Sequence, residues 1–178
     1  MIFYSHQIDM SNPFISAPEG GILNENLCNT EDLEMIFVYF AYPKINIDYI
    51  QSLLRHPSNR VAFYCFDNVF DIRNCPSCMI YSEENRGDEI IYYITMICTH
   101  RKFRGLGYAT MLLDGFVETC KMRHKSSRIL LSSLDDVVSY YQKYGFEVID
   151  CDLNDYPGLA QFEKCEDDKM YSVMELIV

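Results

Sequence analysis

Apolar residues return at helical spacing after Thr30. Leu33, Ile36, Phe37 and Phe40 follow at intervals of three, one and three, behind a threonine, Glu31 and Asp32 that read as an N-cap with acid in the first turn. Pro43 ends that helix, and a second, Ile47 to Arg55 with Ile50, Leu53 and Leu54 apolar, stops before Pro57. From Arg60 the period shortens towards two: "RVAFYCF", a turn at Asp67-Asn68, "VFDIR", "SCMIYS" and the long "EIIYYITMICT" read as an antiparallel meander. A helix from about Gly107 to Arg123 follows, with Tyr108, Leu112 and Phe116 on one stripe and Leu113, Val117 and Cys120 beside it. "RILLSS" is the next strand. Ser133, with Asp136 three residues on, has the capping-box spacing for a helix that Gly145 halts, and "FEVID" and "MYSVMELIV" close the pattern as strands. The order is two helices, three or four strands, helix, strand, helix and two strands, without linker or repeat: one mixed α/β domain over residues 1–178.

Composition fits that picture. Of 178 residues, 49% are apolar, with 11 Phe and 14 Tyr, enough for one well-buried core. The longest apolar runs, Met35 to Tyr42 and Ile90 to Cys98, are far short of a membrane span, and no basic stretch leads into an apolar one at the N-terminus; the expectation is a soluble cytoplasmic protein with no membrane partner. Eight cysteines then read as thiols of a reducing compartment rather than a disulfide framework. The formal net charge of −11 disfavours nucleic acid and favours cationic partners such as small amines, polyamines or Lys-rich peptides. Monomer and homodimer are both compatible with the sequence.

Against that acidity, His100 to Arg104 gathers four basic side chains and runs into Gly105-Leu106-Gly107. A strand leading through a glycine turn into a helix start makes an anion site, because unpaired backbone N–H groups and the helix dipole converge there. Neither the P-loop spacing nor G-x-G-x-x-G occurs, so both nucleotide folds fail here. The alternative is a helix start with an incidental basic cluster.

Arg104-Gly105-Leu106-Gly107-Tyr108-Ala109 matches R-x-x-G-x-A between an apolar strand and an amphipathic helix, and "VVSYYQKYGFEVID" carries Tyr141 and Gly145-Phe146 as Tyr-x-x-x-Gly-Phe. Together these resemble the two landmarks of the GNAT N-acetyltransferase superfamily, over roughly Arg60 to Val178. The resemblance implies a central, mostly antiparallel sheet of six or seven strands flanked by about four helices, with the two N-terminal helices as a substrate-side lid. It implies acetyl-CoA as co-substrate, its pantetheine arm between strands Ile90 to Thr99 and Arg128 to Ser133, held by main chain along Ile97, Cys98 and Thr99. Amides of Gly105, Leu106, Gly107, Tyr108, Ala109 and Thr110 would hold the pyrophosphate, with Arg104 adding charge. The sequence departs from the family at Leu134, where Asn often contacts the cofactor, at Thr99 in place of Val and at Arg101 in place of Pro.

The implied reaction is direct attack of a neutral primary amine on the thioester, which needs a base, an oxyanion donor and an acid for the departing thiolate. By matching position Tyr141 is the acid; its other reading is a core aromatic on a stripe with Val137 and Tyr144, leaving Tyr140 exposed. The resemblance implies a main-chain N–H near Ile97 as the oxyanion donor. Glu89, at the head of the long strand, is the candidate base, its other reading a solvated carboxylate beside Arg86-Gly87-Asp88. The acidic stretch Cys151 to Met170, with Asp152, Asp155, Glu163, Glu166, Asp167 and Asp168, is where the family often meets acceptors. Alternatives are a different acyl-CoA, a peptide N-terminus or lysine as acceptor, or a silent CoA-binding module.

Cys75-Pro76-Ser77-Cys78 lacks the second cysteine pair of a zinc site and does not open a helix as a redox motif does; His6, His56, His100 and His124 have no ligand spacing, so no metal is expected. Cys98 as an acyl-enzyme nucleophile would need an activating histidine, and the sequence places none beside it.

Overall fold

A computed structural model describes residues 30–41, 45–64, 75–124, 126–151, 155–160 and 171–178. Helix α1 (Thr30–Ala41) and helix α2 (Ile47–Arg55) precede strands β1 (Asn59–Tyr64), β2 (Ser77–Asn85) and β3 (Ile90–Thr99). A 3₁₀ turn at Arg101–Phe103 leads to α3 (Tyr108–Arg123), then β4 (Ser127–Leu134), α4 (Asp135–Tyr144), β5 (Glu147–Val148), the short α5 (Pro157–Ala160) and β6 (Tyr171–Ile177). Among the described residues the strands form a six-stranded sheet in the order β1-β2-β3-β4-β6-β5. That is the expected mixed α/β architecture, with α5 as an element the sequence did not reveal. The expected strand "VFDIR" lies outside the described residues.

The chain divides into two compact units, each with its own apolar packing. In the first, made of the described residues up to Tyr81 with Met96–Thr119, α1 packs on α2 and α2 on β1. Phe37 of α1 meets Phe63 of β1 with ring centroids 6.4 Å apart, and Tyr81 meets Phe116 of α3 edge to face at 4.7 Å. Asn46 caps α2 by accepting from the Asp48 N–H at 2.8 Å, and the helix buries Ile50 and Leu53 completely. Each such side chain contributes about 1.5–3 kcal/mol on burial.

In the second unit, Ser82–Thr95 with Cys120–Val178, β3 and β4 run parallel, paired from Ile90 opposite Ser127 to Ile94 opposite Leu131. On its other edge β4 pairs antiparallel with β6 from Arg128 opposite Ile177 to Leu134 opposite Tyr171. Ile91, Tyr93, Leu130, Leu159 and Val173 make a core, with Ile149, Cys151 and Tyr156 against it. Helix α4 differs from expectation at its start: Leu134 holds the N-cap position without a side-chain bond, while the Ser133 hydroxyl, buried in β4, donates to the Leu134 carbonyl. Asp135 and Asp136 in the first turn meet the helix dipole instead. The helix ends as expected, with Gly145 at φ 119° and the Phe146 N–H returning to the Tyr141 carbonyl at 3.0 Å.

Candidate active site

The phosphate candidate lies wholly in the first unit. β3 buries Met96 and Cys98 while Ile97 and Thr99 are half-exposed, so the strand presents alternate residues as it nears its end. After Arg104 the chain passes through Gly105 at φ 77° and Gly107 at φ 83°, left-handed conformations that a side chain resists, and enters α3 at Tyr108. A Cβ at either glycine would meet nothing within 4 Å, so the turn borders open space. The first-turn sequence Tyr108-Ala109-Thr110 brings no carboxylate to compete with an anion. Leu106 is exposed, but its N–H is turned to the Phe103 carbonyl at 3.3 Å, so one of the expected amides already has a partner. Tyr108 anchors the turn by its ring, set against Tyr64 and edge to face with Phe103, each at 5.6 Å.

The basic side chains around this turn have distinct tasks. His100 Nδ1 accepts from the Lys102 N–H at 3.1 Å, and its ring lies on Tyr39, Phe40 and Phe103 at 5.1, 5.2 and 5.4 Å. Burial, and then the neighbouring charges of Lys102 and Arg104, hold this imidazole below its usual value, so the neutral form that the cap requires is favoured. Arg104 Nε donates to the Thr99 carbonyl at 3.2 Å and its Nη2 to the Phe40 carbonyl at 3.1 Å. The Ser77 hydroxyl donates to the Cys98 carbonyl at 2.9 Å, and the His100 N–H to the Pro76 carbonyl, also at 2.9 Å, so the end of β3 is fixed from β2. The Cys98 thiol is buried and pushed up to about 12, which makes it inert as a nucleophile.

The catalytic candidates lie in the second unit. Tyr141 is the buried residue of α4, 8% exposed, with its ring edge-on to Tyr140 at 5.0 Å and to Phe146 at 5.6 Å; Val137 is exposed and Tyr144 half-buried. Glu89 is a partly exposed carboxylate held in an ion pair. Arg128 Nη2 donates to one of its oxygens at 2.8 Å and Nε lies 2.8 Å from the other, while Arg128 Nη1 donates to Glu175 at 2.7 Å. Both oxygens of Glu89 are thus taken up by one guanidinium, which fixes the carboxylate against Arg128.

Three features here had no local sequence signal. Arg86 donates to the Asp155 carbonyl at 3.0 Å and lies over the Tyr156 ring, its carbon 5.6 Å from the centroid. The Tyr93 phenol donates to Glu84, and burial first, then that carboxylate, push the phenol up, so it holds its proton. Arg86 Nε donates to Glu84 at 2.8 Å, and this bond above all keeps the Glu84 carboxyl below its usual value. Gly158 packs on the Tyr93 ring so closely that a methyl group there would overlap it. Of the acidic stretch, Asp152, Glu163, Glu166, Asp167 and Asp168 lie outside the described residues, whereas Asp155 is exposed. Cys75, Cys78, Cys98, Cys120 and Cys151 are thiols rather than disulfides, the first four buried. Among the described residues no three His, Cys, Asp or Glu side chains gather as a metal would need, and no helix is long and apolar enough to cross a membrane.

Residues 79–155 match the family described as acetyltransferase (GNAT) domain. No curated protein matches the chain by sequence. Among solved structures the fold is similar to Gcn5 of Tetrahymena, with a TM-score of 0.60 and 15% identity, covering 84% of this chain and 86% of that one. It is also similar to Naa50 of Arabidopsis thaliana in complex with a bisubstrate analogue, CoA-Ac-MVNAL (0.54, 19%, 88% and 95%). A third is an aminoglycoside 6'-N-acetyltransferase complexed with coenzyme A (0.53, 12%, 83% and 89%).

Proposed function

We propose, for a chain that carries a GNAT acetyltransferase domain across residues 79–155 and whose chemistry is therefore acyl transfer, that the group moved is acetyl, the donor acetyl-CoA and the acceptor a primary amine. The observation that carries this reading is the Arg104–Gly107 turn: two left-handed glycines open to solvent, between the end of β3 and the start of α3, in a basic segment of an acidic chain. The residues present fit the donor. Amides at the start of α3, with those of Gly105 and Gly107, would hold the pyrophosphate, and half-exposed Ile97 and Thr99 would offer main-chain groups to the pantetheine arm. When bound, acetyl-CoA supplies a thioester carbonyl open to a neutral amine.

In this reading a main-chain N–H near Ile97 stabilises the developing oxyanion, and Tyr141 gives its phenolic proton to the departing sulfur. Glu89, paired with Arg128, is given no part in this reading: the amine attacks as its neutral fraction, and the proton its nitrogen sheds on forming the amide restores the Tyr141 phenol. Lys-rich peptides and polyamines fit the net charge of −11 as acceptors. The fold neighbours include proteins whose acceptors differ as widely as a peptide mimic and an aminoglycoside, so the acceptor is sought by screening.

The test is thiol release from acetyl-CoA in the presence of polyamines, Lys peptides and peptides with free N-termini. An acceptor-dependent signal is expected, reduced about 10- to 100-fold in kcat by Tyr141→Phe. An unchanged rate in that variant would remove Tyr141 from the chemistry. Binding of acetyl-CoA with no turnover across the panel would leave a CoA-binding module.

A further inference from the structure

We infer that Arg104 is a positioning residue that straps the end of α1 to the phosphate turn, rather than a ligand of the phosphates themselves. This deepens the acetyl-CoA reading and rests on it. The guanidinium spends two donors on main chain: Nε on the carbonyl of Thr99, the last residue of β3, and Nη2 on the carbonyl of Phe40, 64 positions away. Phe40 sits in the final turn of α1, where carbonyls have no following helical N–H and the dipole is negative. That turn, Val38 to Ala41, contains no basic residue of its own, and Arg104 supplies the missing cation from outside the helix.

A second contact joins the same two places. His100, directly after β3, lies on Tyr39 and Phe40 of α1 while its Nδ1 holds the Lys102 N–H. Arg104 and His100 thus grip one helix end from one turn, and the glycines that shape the anion site begin at the residue after Arg104. A planar fork can serve two carbonyls that lie in different directions; a lysine ammonium on a flexible stem keeps the charge but not that geometry. If charge at the phosphates were the task, lysine would suffice. If the task is the strap, lysine fails as glutamine does, and the last turn of α1 frays whether or not a ligand is present.

Arg104→Lys and Arg104→Gln separate the two roles. Amide hydrogen exchange of ligand-free protein is expected to quicken at least about fivefold in the last turn of α1 in both variants, with the rest of α1 and all of α4 unchanged. Calorimetric titration with CoA is expected to give a Kd about tenfold weaker in both. Wild-type affinity or wild-type exchange in Arg104→Lys, in protein that unfolds cooperatively on heating, overturns the strap. Failure of the wild type to bind CoA would overturn the acyltransferase reading instead, and the exchange comparison, which needs no ligand, would still decide on the strap.

Discussion

Gly107 turns at φ 83° with no atom within 4 Å of where a Cβ would stand, so a methyl group there is resisted by backbone conformation and not by crowding. Gly107→Ala should therefore cost about 1–2 kcal/mol at the turn and weaken CoA binding by a similar free energy, about tenfold, which calorimetry reads directly. His100 makes a prediction about pH. Its imidazole is held below the ordinary 6.5, so as pH drops the unfolded chain takes up this proton before the folded one does. The stability it contributes is complete above pH 6.5 and is lost as pH falls from there through the lower folded-state value. His100→Asn, which keeps an acceptor for the Lys102 N–H, should flatten urea-derived stability as pH falls below 6.5. Glu89→Gln should cost about 1 kcal/mol, since solvent screens a pair whose carboxylate side chain is 33% exposed, and should leave the pH profile of turnover unchanged. A profile that lost its acid limb, the fall in rate at low pH where a base is protonated, would restore Glu89 as the base. The glycine turn could be read from the sequence because its conformational demand is written in adjacent residues. The partners of Arg104 and Glu89 could not, because Phe40 and Arg128 stand 64 and 39 positions away and nothing local marks the pairing.

Among the elements, the span of α2 is legible from its regular apolar spacing and the Pro57 that follows it, while the Asn46 cap emerges from the structure. The start of α4 was misread for a physical reason. Ser133 and Asp136 have the spacing of a capping box, yet strand pairing with β6 carries β4 through to Leu134, which leaves Ser133 buried in the sheet and unable to turn back over the helix. The brief α5 was missed because four residues are too few to show a period, and its place is set by tertiary contacts, Leu159 in the core and Gly158 against Tyr93. That contact predicts a steep response. Gly158→Ala should destabilise the protein by about 1–3 kcal/mol through overpacking, a lowered thermal midpoint being the readout. Tyr93→Leu in the same background should recover part of the loss, because a smaller neighbour makes room.

Over the whole molecule, a formal charge of −11 contrasts with one basic turn, and in the proposed function the two would serve different ligands. The long-range field favours a cationic acceptor, so kcat/KM for a polyamine should fall as salt rises, in contrast to a singly charged amine of the same reactivity. The turn, in the proposed function, would act at contact distance on phosphate oxygens. The fold class was legible because helical and strand periods alternate in an order with few α/β solutions, whereas the acceptor was not, since the acidic stretch carries no pattern that fixes its geometry. The central claim is that the Arg104–Gly107 turn receives the phosphates of acetyl-CoA. Calorimetric titration of acetyl-CoA beside S-acetyl-pantetheine, which has the thioester and lacks the nucleotide, tests it most directly. The prediction is a Kd of about 1–10 μM for acetyl-CoA and an affinity at least about 100-fold weaker for S-acetyl-pantetheine. Equal affinity for the two, or no binding of acetyl-CoA by folded protein, would contradict it.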